Sequence, residues 1–124
     1  MSTTENTAVV LKYMDLVAAG DIDAALGLAA DDATFWHPMS GTLGKDALRE
    51  QFKQLGALMH SFSSRVISTT AEADRVSVEV EAQAEVSNGR HYQNQYHFMF
   101  VVRAGKIQAS REYVDSAPVK AAFF

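Results

Sequence analysis

From residue 75 onward, every second position is small and apolar: Val76, Val78, Val80, Ala82, Ala84 and Val86 alternate with Ser77, Glu79, Glu81, Gln83 and Glu85. A period of two marks a strand with one apolar and one polar face. The Ser87-Asn88-Gly89-Arg90 segment holds an Asn-Gly pair suited to a type I′ hairpin turn, so the next run, His91 to Arg103, is expected to return antiparallel. Ala104-Gly105 makes a second tight turn into Lys106 to Val114, and an earlier strand passes through Arg65-Val66-Ile67.

The first half of the chain has a helical period instead. Ser2 and Glu5 have capping-box spacing and Gly20 is a stop, which predicts a helix over about residues 5–19 with Val9, Val10, Tyr13, Met14 and Val17 on its apolar stripe. Tyr13 therefore points inward, and its hydroxyl needs a partner or a cavity. Asp21 is placed to cap a second helix through Ile22, Ala25, Leu26 and Leu28, ending before Asp31-Asp32 and lying antiparallel to the first. Ala33 to Pro38 reads as a short strand. Pro38 and Gly41-Thr42-Leu43-Gly44 then break regular structure. A third helix carries Leu48, Phe52, Leu55 and Met59, with Lys45, Arg49, Glu50 and Lys53 on its solvated face. The tail from Asp115, with Pro118 and Phe123-Phe124, is expected to dock on the sheet or on a partner subunit.

Three helices followed by an antiparallel meander predict a single α+β domain over residues 1–124. Its form is a cone-shaped α+β barrel, with the helices packed in the concave face of a curved, mainly antiparallel sheet. Such a cone leaves an internal cavity suited to a small apolar ligand.

Composition narrows the chemistry. The 124 residues suffice for one core, and seven Phe, four Tyr and one Trp supply much of its bulk. With no cysteine, there is no disulfide, thiol nucleophile or thiolate metal site. A net charge of −4 without a Lys/Arg run argues against nucleic acid. No stretch approaches the ~20 apolar residues of a membrane span. The N-terminal residues lack the basic and apolar regions of a secretion signal, so the expected location is the cytoplasm. His60, His91 and His97 lack metal-ligand spacing, and neither metal nor cofactor is expected.

The candidate chemistry centres on Ala33-Thr34-Phe35-Trp36-His37-Pro38, where an imidazole titrating near neutrality stands among aromatic rings. The plain alternative is a structural histidine. On the strand from His91, the alternation puts Asn94, Tyr96 and Phe98 on one face. Glu79, Glu81, Gln83 and Glu85 share a face whose ordinary reading is a solvated surface opposite a valine-packed core, and a bulge would reverse that parity.

Several strings resemble the nuclear-transport-factor-2-like superfamily, in its ketosteroid-isomerase and SnoaL-like polyketide-cyclase branches. These are Thr7-Ala8-Val9-Val10 through Tyr13, Ala19-Gly20-Asp21-Ile22-Asp23, Ala30-Asp31-Asp32-Ala33-Thr34, and Gly105-Lys106-Ile107 through Arg111-Glu112-Tyr113-Val114-Asp115. The resemblance implies that Tyr13 donates a hydrogen bond to a developing enolate, that His37 replaces the isomerases' aspartate base, and that Tyr96 replaces their protonated aspartic acid. The last-strand string is also similar to limonene-epoxide hydrolases. Their Arg-x-Asp motif falls on Glu79-Val80-Glu81, where the arginine is missing. The cyclases' acidic acid/base residue has two candidates, Glu81 and Glu112.

The resemblance thus implies proton transfer next to a carbonyl, of the isomerase or cyclase type. Tyr13, His37, Tyr96 and Glu112 are the expected catalytic residues, and Phe35, Glu81, Asn94, Phe98 and Val114 line the pocket. The expected partner is a small apolar or carbonyl-containing molecule. The alternative is a non-catalytic ligand-binding or dimerisation module of the same fold. A homodimer is expected to cover Val78, Val80 and Phe100 on the outer face of the sheet.

Overall fold

The computed structural model describes residues 2–124. Helix α1 spans Thr3–Ala18, and both bonds of the Ser2/Glu5 capping box form, at 3.1 and 3.2 Å. Gly20 ends it with a φ of 79°, while the Gly20 and Asp21 amides donate to the Val17 and Leu16 carbonyls. A side chain at Gly20 would strain this left-handed turn. Helix α2 is Ile22–Leu26, and Asp21 precedes it without making a side-chain cap. Strand β1 spans Ala29–His37, so Asp31-Asp32 lies inside a strand that starts earlier than expected.

Gly41–Leu43 forms a short strand, β2, paired with β1, where only a break was expected. Helix α3 is Lys45–Ala57. Two of its cations, read as merely solvated, tie it to neighbouring elements. Arg49 donates to Asp23 and Asp46, and Lys45 Nζ donates to the Ala29 carbonyl.

The long strands are β3 (Met59–Glu72), β4 (Arg75–Val86), β5 (His91–Arg103) and β6 (Lys106–Val114). They form a curved, unclosed six-stranded sheet in the order β2-β1-β6-β5-β4-β3, in which, among the described residues, the β1/β6 pair is parallel and the others antiparallel. The last element is helix α4, Ser116–Phe123, capped by Asp115. Val119 and Phe123 pack with Ala122 on Tyr92, Ala84 and Val86, whereas Phe124 is 82% exposed.

One hairpin differs in turn chemistry from expectation, and the other is the tight turn expected. At Ser87-Asn88-Gly89 only Gly89 has positive φ, and the Gly89 amide donates to the Val86 carbonyl. A type I turn followed by a left-handed glycine therefore replaces type I′. Ala104-Gly105 is the type I′ turn, with φ of 50° and 75° between the paired Arg103 and Lys106. Alanine is strained there by roughly 1–2 kcal/mol, and asparagine accepts this conformation more readily. Ala104→Asn should therefore raise stability by about 0.5–1 kcal/mol, read as a higher denaturant midpoint at unchanged slope.

The β4/β5 register runs unbroken from Arg75↔Val101 to Glu85↔His91, whereas the register shifts fall in the β3/β4, β1/β6 and β5/β6 pairs. With no slip, parity holds along β4. Val76, Val78 and Val80 face the helices and are buried, together with Phe100. Val78, Val80 and Phe100 are therefore core residues, which corrects their expected place on an outer dimer seam. Glu79, Glu81, Gln83 and Glu85 take the outer face. There Glu81 pairs with Arg65 at 2.8 Å and Glu79 accepts from Ser68 at 2.9 Å. Among the described residues, no helix is long and apolar enough to cross a membrane.

Candidate functional site

Pairing across β4, β5, β6 and β1 lays the inward side chains out in rows. Val80, Tyr96 and Val114 form one row; Val78, Phe98 and Glu112 the next; Val76, Phe100, Ser110 and Phe35 the third. Rows stand about 7 Å apart, two residues of strand rise. Parallel pairing of β1 with β6 sets Trp36 beside Arg111, so the following residues, His37 and Glu112, project together on the inward side.

His37 Nε2 lies 2.6 Å from Glu112 Oε2, with both side chains 22% exposed. The backbone amide of Met39 donates to His37 Nδ1 at 3.0 Å. A nitrogen that accepts an N–H carries no proton, so the imidazole is the Nε2–H tautomer and donates to the carboxylate. Both ring nitrogens are thus engaged within the protein. The contact with His37 is made through Glu112 Oε2 and leaves the other carboxylate oxygen, Oε1, outside the pair. Pro38 breaks the strand directly after His37, which brings the Met39 amide back toward the ring.

Tyr13 and Tyr96 stand on either side of that carboxylate row. The Tyr13 ring meets the edge of Phe100 at 5.7 Å, while Tyr96 stacks on Phe98 at 5.8 Å, and Phe98 on Phe100 at 5.8 Å. Burial, and then the Glu112 charge, push the Tyr13 phenol well above its ordinary range. The Tyr96 phenol is also pushed up, chiefly by burial, then by its bonded neighbour Tyr92, and last by the Glu112 charge. Both phenols therefore keep their protons at neutral pH and can serve as donors.

Of the other expected residues, Phe35 is buried in the third row, and Phe98 and Val114 flank Glu112 and Tyr96. Asn94 is buried beside Tyr92. Glu81 is the exception: its outer-face pairing with Arg65 separates it from the others by the thickness of the sheet. Tyr92 was missed, although its place two residues before Asn94 on the same face was a readable signal. It is bonded to Tyr96 through the two hydroxyls and to Asn94. No group of three or more His, Asp or Glu residues among those described is arranged to hold a metal. An open cleft of about 370 Å³ lies across the outer face, with Ile67, Glu79, His97 and Tyr113 on its rim.

The family model of the SnoaL-like domain matches residues 10–110. Comparison with curated proteins returns no match. Among solved structures, an NTF2-like protein from Burkholderia xenovorans is 25% identical, with 100% of this chain and 99% of that one covered at a TM-score of 0.81. TerC, crystallised with polyporic acid, is 17% identical over 95% of this chain and 97% of its own, at a TM-score of 0.85. A candidate polyketide cyclase from Xanthomonas campestris is 21% identical, with 97% of each chain covered and a TM-score of 0.81.

Proposed function

Since the chain belongs to the SnoaL-like family, within the nuclear-transport-factor-2-like superfamily, we propose that it is a small-molecule enzyme that moves a proton at a carbon next to a carbonyl. The observation that carries this reading is the His37–Glu112 contact, with the imidazole's other nitrogen occupied by the Met39 amide. Glu112 takes the proton through its open oxygen, and His37 orients the carboxylate by donating from Nε2. The electron pair of the broken C–H bond moves onto the carbonyl oxygen. The resulting enolate accepts hydrogen bonds from tyrosine hydroxyls, with Tyr96 one row from the base and Tyr13 on its other side. Return of the proton to a different carbon completes an isomerisation, while attack of the enolate carbon on a second carbonyl, whose oxygen then takes the proton back from Glu112, completes a cyclisation.

The similar folds of TerC, crystallised with polyporic acid, and of the candidate polyketide cyclase support a small organic molecule as the partner. The test is deuterium exchange, followed by NMR, at the carbon beside the carbonyl of enone and β-keto compounds. Exchange faster than in buffer is expected. Compounds that bind without exchanging would make the chain a binding module instead.

The homodimer belongs to this proposal on new grounds. With the valines buried, the outer face still offers Trp36 packed at a tilt against Tyr113, ring centroids 5.3 Å apart, and Ile67 and Tyr113 remain exposed beside the cleft. Sedimentation at micromolar concentration is expected to show a dimer, and a monomer alone would reject it.

A further inference from the structure

Three side chains on one face of β5, Tyr92, Asn94 and Tyr96, form a hydrogen-bonded chain whose direction follows from counting donors. Asn94 Oδ1 accepts from the Gln95 amide at 2.9 Å, and its Nδ2 donates to the Asp115 carbonyl at 2.9 Å. That orientation leaves an N–H facing the Tyr92 oxygen at 3.0 Å, so Asn94 is the donor in that bond. Tyr92 is buried, and its hydroxyl bonds only Asn94 and Tyr96 among the described residues. If Tyr96 donated to Tyr92, the Tyr92 proton would be left buried without an acceptor, at a cost of about 1–3 kcal/mol. The satisfied arrangement runs from Asn94 to Tyr92 to Tyr96. The Tyr96 proton is then left over, on the inward face one row from Glu112.

We propose that Asn94 and Tyr92 are positioning residues, forming a donor relay that turns the Tyr96 hydroxyl proton toward a ligand oxyanion beside Glu112. Each bond in such a chain polarises the next, so the terminal hydroxyl donates more strongly than an isolated phenol. Phe123 of α4 braces the relay, its ring meeting Tyr92 edge-on at 5.2 Å, and the Asp115 carbonyl anchors the Asn94 end. The ligand class is an enolate or a phenolate, an oxygen anion carried on a flat apolar body that can lie beside the partly buried Phe98 ring.

This inference rests on the proposed proton transfer, but its test needs no turnover. In a Glu112→Gln background, the amide stands in for the base after it has taken a proton. Binding of 4-nitrophenolate is compared by titration with that of its uncharged methyl ether, 4-nitroanisole. The Glu112→Gln protein should prefer the phenolate. Adding Tyr92→Phe should weaken the phenolate roughly five- to tenfold, about the worth of one net hydrogen bond, and leave the ether unchanged. On top of Tyr96→Phe, Tyr92→Phe should add nothing, because it acts only through Tyr96. Asn94→Asp, which keeps the bond from the Gln95 amide but offers Tyr92 an acceptor in place of a donor, should reproduce the selective loss if Tyr92→Phe fails to fold. The relay is overturned by a wild-type-like phenolate affinity in Tyr92→Phe, by equal weakening of phenolate and ether, by full additivity with Tyr96→Phe, or by no preference for phenolate in the Glu112→Gln protein. None of these outcomes bears on whether Glu112 moves a proton, which the exchange experiment reads separately.

Discussion

Glu112→Gln is expected to slow deuterium exchange beside a ligand carbonyl by ~10²–10⁴-fold, the usual contribution of a positioned general base. Glutamine keeps the shape and can still accept the Nε2–H of His37, but it has no basic oxygen to offer the substrate. His37→Ala should be milder, roughly tenfold, since it removes one hydrogen bond that orients the carboxylate and leaves the base in place. The ranking of the two variants is the decisive measurement. If His37→Ala is the more damaging, the imidazole is the base, and the Met39 amide bond must break for it to act. Tyr13→Phe should lower turnover separately, because its hydroxyl stands beyond the carboxylate row and outside the Asn94–Tyr92–Tyr96 chain.

Phe100→Ala is expected to cost about 3–5 kcal/mol in folding free energy, a large share of the ~5–15 kcal/mol that holds a typical domain together. Phe100 is fully buried, between the edge-on ring of Tyr13 and the stacked ring of Phe98, with Val76 and Ser110 beside it on the sheet. The cavity left behind has rigid walls on three strands and a helix, so little collapse can fill it. Urea denaturation should show a lower midpoint with an unchanged slope. Phe124→Ala serves as the control and should stay within about 0.5 kcal/mol of the parent, since that ring is largely in solvent. A loss at Phe100 no larger than at Phe124 would mean that the aromatic ladder is not part of the core.

Much of the fold was legible because it depends on local chemistry. The Ser2/Glu5 box, the left-handed Gly20, the period-two strands and the two turns beyond Val86 rest on neighbours a few residues apart. The limits of β5 and β6 follow from those turns alone. Strand β2 was not legible, because three residues show no period and become a strand only by pairing with β1. Helix α4 was missed for a similar reason. A short segment containing Pro118 has little helix-forming strength of its own, and docking on Tyr92, Ala84 and Val86 supplies what it lacks.

The site divides along the same line. Residue type picked out His37, the family resemblance added Tyr13, Tyr96 and Glu112, and alternation put Asn94 and Phe98 on Tyr96's face. Alternation also separates two faces of β4, but it carries no sign, so it could not say whether Glu81 or Val80 turned inward. The unbroken β4/β5 register and the burial of the valines decided that. Likewise, the roles within the His37–Glu112 pair depend on a parallel pairing between strands from opposite ends of the chain and on a backbone amide that folds back after Pro38. A hydrogen bond is set by the three-dimensional position of its donor. The sequence by itself therefore determined which groups could act, and only the tertiary structure decided which of their atoms remained open.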